Sequence, residues 1–518
     1  MPEQAVPNKA NALLLFATFI ISICGLIYEL LAGTISSYLL GDSVFQFSLV
    51  IGIFLAAMGV GAWLSRYIES ALVEAFIAVQ CAIAISGGFS AALLFFAFSH
   101  IGNYEALLFL LCLIIGTLVG FEIPIVIRIL KAYRILRLNV SNVLTADYIG
   151  ALIASLLFPL VLVPHLGLLR TALVFGMLNC FVAGLGFYVF HEDLKQRNRL
   201  LTNIIVTGLI LIAGMALSSR LTDFFQAHLY SGEIIHSVTT PYQKVVITRD
   251  GPAVSLFING HLQFNSLDEY RYHESLVHPA MALARHRRHI LVLGGGDGMA
   301  VREILRYPEV QSVTLVDLDQ TVTDFFRNNP LLNRLNHHSL QDQRVRIVNQ
   351  DAWKYLETDT QFYDVVFIDL PDPHAFGLSK LYSREFYARL SHHLGAEGIV
   401  VTQATSPMFA RQAFWCIDNT LGVTPSSLDP SASLHTIAYH VYVPSFGEWG
   451  FVMASAHKLD WSAIQLPNGL RYLTPATLQA MNHFPKDMAR LDTRVNSITT
   501  HILVTYYETG WNKWFGKQ

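Results

Sequence analysis

The sequence predicts an α-helical membrane bundle of about seven spans joined to an α/β, Rossmann-like domain of class I methyltransferase type, with a small β-hairpin subdomain between them. Three observations carry this. Long apolar runs begin near residues 13, 45, 73, 104, 145, 168 and 200, each long enough to cross a ~30 Å hydrocarbon core as a helix. Hydrophobic residues make up 53% of the 518 and charged ones only 14%, where a soluble enzyme carries roughly a quarter charged. In the polar half, apolar strands alternate with helical segments, the pattern of a parallel sheet. The expected divisions are a transmembrane helical domain over 1–220, a linker and N-terminal β subdomain over 221–285, the Rossmann-like domain over 286–456 and a C-terminal helical segment over 457–518.

The first run, "ALLLFATFIISICGLIYELLAG", lacks the small-residue cleavage site of a signal peptide and reads as a retained span. Gly-rich stretches such as "AAMGVGAW" predict close helix packing. Glu29, Glu122 and Asp147 sit in or at the ends of the runs. Such groups are functional, paired inside a bundle, or reach interfacial water. Arg66, then Arg128, Lys131, Arg134 and Arg137, then Lys195, Arg197 and Arg199 fall in alternate connections. The positive-inside rule puts those loops and the N-terminus in the cytoplasm, so an odd number of spans leaves everything after about residue 220 outside. The net charge of −3 gives no reason to expect nucleic acid as a partner. Of five cysteines, Cys24, Cys81, Cys112 and Cys180 lie in apolar runs and only Cys416 in the polar half, so none frames a disulfide. No Cys/His spacing reads as a metal site.

Beyond "SSRLTDFF", the stretch "QKVVITRDGPAVSLFINGHLQF" alternates apolar and polar residues around Asp250-Gly251 and Asn259-Gly260, the mark of β-hairpins. Then "HILVLGGGDGMAVREIL" reads as strand, turn and helix. "SVTLVDLD", "VRIVNQDAW", "YDVVFIDLPDP" and "EGIVVTQA" give four more strands. Ligands of such a sheet bind beyond the C-terminal ends of its strands. Gly294, Gly295, Gly296 and Gly298 allow a tight turn and close approach of a ligand. Asp317 and Asp319 follow about twenty residues on, where an acid accepts from ribose hydroxyls. Asp351 ends the third strand, where an adenine amino group can be held. Acids at successive strand ends make this a nucleoside site.

Asp297 inside the turn repels a pyrophosphate, which a dinucleotide would place at the helix N-terminus. A sulfonium nucleoside carries positive charge and tolerates it. Asp297 also opposes an α-carboxylate and suits a tail ending in an ammonium group, as in decarboxylated S-adenosylmethionine. Asp369 and Asp372, two residues apart at the end of the fourth strand, suit a polyamine. The amine nucleophile is protonated at neutral pH, and a carboxylate within reach can orient it and take its proton.

The run "GHLQFNSLDEYRYHESLVHPAMA", with "ILVLGGGDGMAVREIL", "RVRIVNQDAWKYL", "FIDLPDP", "LYSREFY" and "VPSFGEWGF", resembles the spermidine synthase, or polyamine aminopropyltransferase, family over roughly residues 240–455. The apolar half, "YHVYVPSFGEWGF" and a closing "ETGW" resemble its membrane-embedded branch. The resemblance implies decarboxylated S-adenosylmethionine, or S-adenosylmethionine itself, as co-substrate, with no metal. It implies a diamine of putrescine type as acceptor, with spermidine and methylthioadenosine as products, and a dimer or tetramer. It places Gln243 and Asp317 on the ribose and Asp351 on the adenine. It sets Gly294 and Gly296 in the turn and Asp297 on the aminopropyl ammonium. Tyr272, Gln263 and Gln403 would line the amine pocket, with Asp369 as base and Asp372 as anchor; Trp449 and Phe451 read as core packing.

Two positions depart from the pattern. Met299 stands where the family carries a last glycine, and Pro444-Ser445-Phe446 stands where it carries a tyrosine that borders the amine. Other readings of the same fold are methyl transfer and intramolecular displacement on S-adenosylmethionine. A reading from another class is a transporter or sensor that binds a polyamine or nucleoside without turnover. The catalytic domain of a multi-pass inner-membrane enzyme is expected in the cytoplasm, where sulfonium nucleosides are made, although the loop charges point to the other face.

Overall fold

The computed structural model describes residues 8–40, 43–100, 103–131, 136–192, 194–426 and 428–515. Its contacts divide the chain into two compact units, Met1–Ser231 and Gly232–Gln518.

The first unit is all helix: α1 (Asn8–Leu40), α2 (Ser43–Leu64), α3 (Leu72–Gly88), α4 (Ser90–His100), α5 (Tyr104–Lys131), α6 (Leu136–Leu157), α7 (Val163–Val189) and α8 (Arg197–Leu229). Among the described residues, six stretches are long and apolar enough to cross a membrane. The fifth, Val140–Val189, holds both runs read from residues 145 and 168. It passes through a π-helical turn at Phe158–Leu162 and a break at Gly167, whose φ of 72° a side chain would resist. The outward faces are as apolar as the interior: Leu55 is 57% exposed, Leu160 69% and Leu209 61%. A soluble bundle would turn charged residues outward there. The glycines of "AAMGVGAW" act as expected. A Cβ at Gly61 would strike the Thr117 carbonyl and one at Gly120 the Met58 carbonyl, so α2 and α5 meet backbone to backbone.

The second unit opens with a four-stranded antiparallel sheet, β1 (Glu233–Thr239), β2 (Lys244–Asp250), β3 (Ala253–Ile258) and β4 (His261–Asn265), in sequential order. The expected turns are there: Gly251 at φ 55°, then Asn259 at 50° and Gly260 at 85°. The latter pair has the signs of a type I′ turn, whose twist matches the flanking strands. After α9 (Glu269–Leu283) come β5 (His289–Gly294), α10 (Met299–Ile304), β6 (Ser312–Asp317), α11 (Gln320–Asn328), β7 (Val345–Asn349), β8 (Tyr363–Asp369) and β9 (Leu394–Gln403). These are the five expected strands, paired parallel to one another. The hairpin β10 (His435–Val443) and β11 (Gly447–Ser455) joins β9 antiparallel, a pairing the sequence reading missed. The seven-stranded sheet is therefore mixed, ordered β10-β11-β9-β8-β5-β6-β7. Strand order reverses between β5 and β8, and a ligand crevice opens at such a switch point.

Candidate active site

At the switch point Gly294 pairs with Asp369 across β5 and β8. A Cβ on Gly294 would collide with the Asp369 carbonyl, and Gly295 N–H donates to that carbonyl at 3.0 Å. The glycine turn and the acidic loop are thus bonded together. Gly296 N–H donates to Asp317 Oδ2 at 3.1 Å, and a Cβ there would lie 2.6 Å from that oxygen. Asp319 N–H holds Asp317 Oδ1 at 2.9 Å. Asp319 itself caps α11 through Thr321 N–H and also receives Thr240 Oγ1 (2.7 Å) and Gln243 Nε2 (3.1 Å). Gln243 is thereby fixed to Asp319, whose own N–H holds Asp317. Asp297 Oδ1 accepts from Met299 N–H at 2.8 Å, so α10 starts without a last glycine. Burial pushes both Asp297 and Asp317 up to about 6; the neighbouring Asp369 charge adds to this at Asp297.

The end of β8 and the loop after it carry two further carboxylates, Asp369 and Asp372. Tyr272, 8% exposed on α9, donates its hydroxyl to Asp369 Oδ1 at 2.6 Å. Asp369 Oδ2 faces the glycine turn, 3.0 Å from where a Cβ of Gly295 would stand. Burial raises the Asp369 carboxyl above its ordinary range, and the nearby His273 charge opposes that rise. Asp372 accepts from Gln403 Nε2 (3.3 Å) and Thr405 Oγ1 (3.2 Å), and from the Tyr507 hydroxyl. Burial again pushes it up to about 6.

Three of the expected ligand residues have protein partners of their own. Gln403 is buried, donating to the Leu370 carbonyl (2.8 Å) and the Tyr382 hydroxyl (2.6 Å) and accepting from Thr405 N–H (2.9 Å). Asp351 caps the helix Ala352–Thr358 through Lys354 N–H and pairs with Lys380 at 3.0 Å. Gln263 on β4 donates to the His261 carbonyl at 3.2 Å. Phe451 is fully buried against Tyr272, 5.2 Å between ring centres. Phe446, in place of a tyrosine, packs on Tyr272 at 6.2 Å.

Two participants escaped sequence reading. His273, fully inside the protein, sits 2.8 Å from Glu269, which Arg302 also holds at 2.9 Å. Glu269 outweighs the cost of burial and lifts the imidazole to about 9, so it is charged at neutral pH. The Glu269–His273 spacing of four along "DEYRYHE" was the available signal. Tyr507 comes from the helix Ile502–Phe515, 135 residues beyond Asp372 in the chain. No local pattern announced it. Its ring lies 6.4 Å from His374, which packs 4.5 Å from His261. Among the described residues, no group of three or more His, Cys, Asp or Glu could hold a metal ion.

A glycine turn bonded to the strand end at Asp369, with a second acid at the next strand end, marks the ligand crevice of a Rossmann-like fold. The family model described as "Spermine/spermidine synthase domain" matches residues 269–464. A polyamine aminopropyltransferase of Leptospira interrogans is 45% identical over 96% of this chain and 99% of its own length. Polyamine aminopropyltransferase 2 of Ralstonia nicotianae is 45% identical over 98% and 99%. A crystal structure of spermidine synthase with the transition state analogue AdoDATO covers 49% of this chain and 88% of its own, at 23% identity and a TM-score of 0.45. This chain belongs to the polyamine aminopropyltransferase family and is an aminopropyl-transferring enzyme.

Proposed function

We propose that the cleft moves an aminopropyl group from decarboxylated S-adenosylmethionine to a putrescine-like diamine, giving spermidine and methylthioadenosine. The carrying observation is the split use of Asp369: Tyr272 holds Oδ1, while Oδ2 faces the glycine turn. Asp317 and Gln243 take the ribose, Asp351 the adenine, and Asp297 the ammonium of the aminopropyl arm. Asp372 anchors the far ammonium of the diamine; Gln403 positions Asp372, and Tyr272 and Gln263 flank the near amine. Asp369 accepts a proton from that amine. The freed lone pair forms the new C–N bond as the C–S bond breaks, and its electrons return to sulfur as a neutral thioether. The raised basicity of a buried Asp369 suits this transfer. The sulfonium is already a good leaving group, so alignment and deprotonation are what the protein supplies. Asp297 opposes the α-carboxylate of intact S-adenosylmethionine, which favours the decarboxylated donor.

The outward apolar faces of the first unit support a multi-pass anchor in the lipid bilayer, with Val140–Val189 crossing twice to give seven spans. The donor's origin favours a cytoplasmic cleft, and a dimer or tetramer follows the family. Mass spectrometry of detergent-purified protein with each sulfonium donor and a panel of diamines tests the reaction. Methylthioadenosine together with an aminopropylated amine supports it; methylthioadenosine from S-adenosylmethionine alone sinks it. Protease accessibility in spheroplasts decides the face.

A further inference from the structure

The three acids singled out in the apolar half converge. Glu29 of α1, Glu122 of α5 and Asp147 of α6 line a single cavity of about 150 Å³ inside the helical unit. The polar inventory of its wall is one-sided. Thr18 and Ser22, which also line it, spend their hydroxyl hydrogens on the Leu14 and Asp147 carbonyls at 2.9 and 2.5 Å. Glu122, only 2% exposed, takes Gln80 Nε2 on Oε1 at 2.6 Å. Gln80 is itself fully buried, and its own Oε1 has no hydrogen-bond partner. Glu29 makes no hydrogen bond among the described residues. Among the described residues, no Lys, Arg or His lines the cavity.

The wall therefore presents three acidic side chains with no free hydroxyl, amide or cationic donor among its described residues, and behind Glu122 stands the unpartnered amide oxygen of Gln80. Buried acceptors of this kind demand N–H donors, and buried anions demand cations. The remaining lining, including Ile21, Leu26, Phe54, Val119 and Ile123, is apolar. A hard metal ion needs six or more oxygens and would be poorly served there. Alkyl chains fit such walls, and more than one carboxylate calls for more than one positive charge.

We propose that this cavity is a second amine site, binding an ammonium end of a linear di- or polyamine cation within the helical unit. The claim rests on the helical unit alone and stands apart from the reaction assigned to the cleft. Ionisable groups inside an apolar bundle mark solute pathways or sensors, and a site for the enzyme's own class of substrate and product would let the bundle carry or monitor it.

Equilibrium dialysis of labelled spermidine against the full chain in detergent tests this, with aminopropyl transfer measured in parallel. The wild type is expected to hold two amines per chain. Glu122→Gln and, separately, Glu29→Gln are expected to weaken one of the two by at least tenfold, with transfer within twofold of wild type. Glu29→Gln guards against a folding defect, since Glu29 supports no internal bond. Asp372→Asn should weaken the other site only. Two unchanged amines in both glutamine variants would overturn the proposal. So would equal competition for this site by sodium or by tetramethylammonium, which has no N–H.

Discussion

The two ends of the cleft solve one electrostatic problem with different materials. At the nucleoside end, Asp317 and Asp297 are held by backbone N–H groups of Gly296, Asp319 and Met299, all within a strand-turn-helix segment or at the next strand's end. At the amine end, Asp369 and Asp372 are held by side chains from α9, from the loop after β9 and from the last helix. Backbone donors survive every substitution except proline, whereas side-chain donors do not. The first end is set by the fold and the second by the particular residues.

The sharpest way to break this comparison is Asp369→Asn. The proton acceptor is lost while shape is kept, and kcat should fall by about 10²–10⁴, with donor binding retained in a filter assay. Equal loss of donor binding would mean that the two ends are not separable. Asp317→Asn should act on the other end, raising the donor KM by about 10- to 100-fold through a lost charged hydrogen-bond acceptor; the amine KM should stay near wild type in the same kinetics.

Protonation sharpens the comparison further. Asp297, Asp317 and Asp372 all titrate at about 6, above the ordinary 3.8. In the ligand-free protein their contribution to stability is fully present below 3.8 and is lost as pH rises through about 6. Cationic ligands need the ionised form, so affinity runs the opposite way. The kcat/KM profile should fall at least tenfold per pH unit below about 6, and more steeply if more than one of the three must be ionised. The imidazolium of His273 opposes the rise at Asp297 and Asp369. His273→Gln should therefore move that acid limb to higher pH, and an unmoved limb would reduce His273 to packing.

The smallest effect belongs to Tyr507→Phe. One neutral hydrogen bond to a carboxylate is lost, so the amine KM should rise about 3- to 10-fold with kcat unchanged, measured across two diamine lengths. An unchanged KM would remove the last helix from the amine end.

Legibility followed the same division. The glycine turn and the acids at β5, β6 and β8 could be placed because sheet topology sends consecutive strand ends to one crevice. Asp369 and Asp372 came with them. Tyr507 could not be found, because nothing local to the helix Ile502–Phe515 says which loop it meets. His273 was passed over beside the more conspicuous Tyr272, although α9 puts Glu269 one turn away. Asp351 was read from its strand end and Gln403 from the resemblance, and neither signal could say which protein partners each also holds. The hairpin of β10 and β11 was missed because "YHVYVPSFGEWGF" was read as a motif and its alternation ignored.

The bond between Gly295 and the Asp369 carbonyl has an evolutionary consequence. It ties the strand end carrying Asp369 to the glycine turn through main-chain atoms, so drift in side chains cannot pull the two apart. Of the side chains that hold Asp372, Thr405 and Tyr507 lie outside the strands and Gln403 only at the end of one. Descendants of this chain can exchange them, and with them the length of diamine accepted, without relearning how to hold the sulfonium.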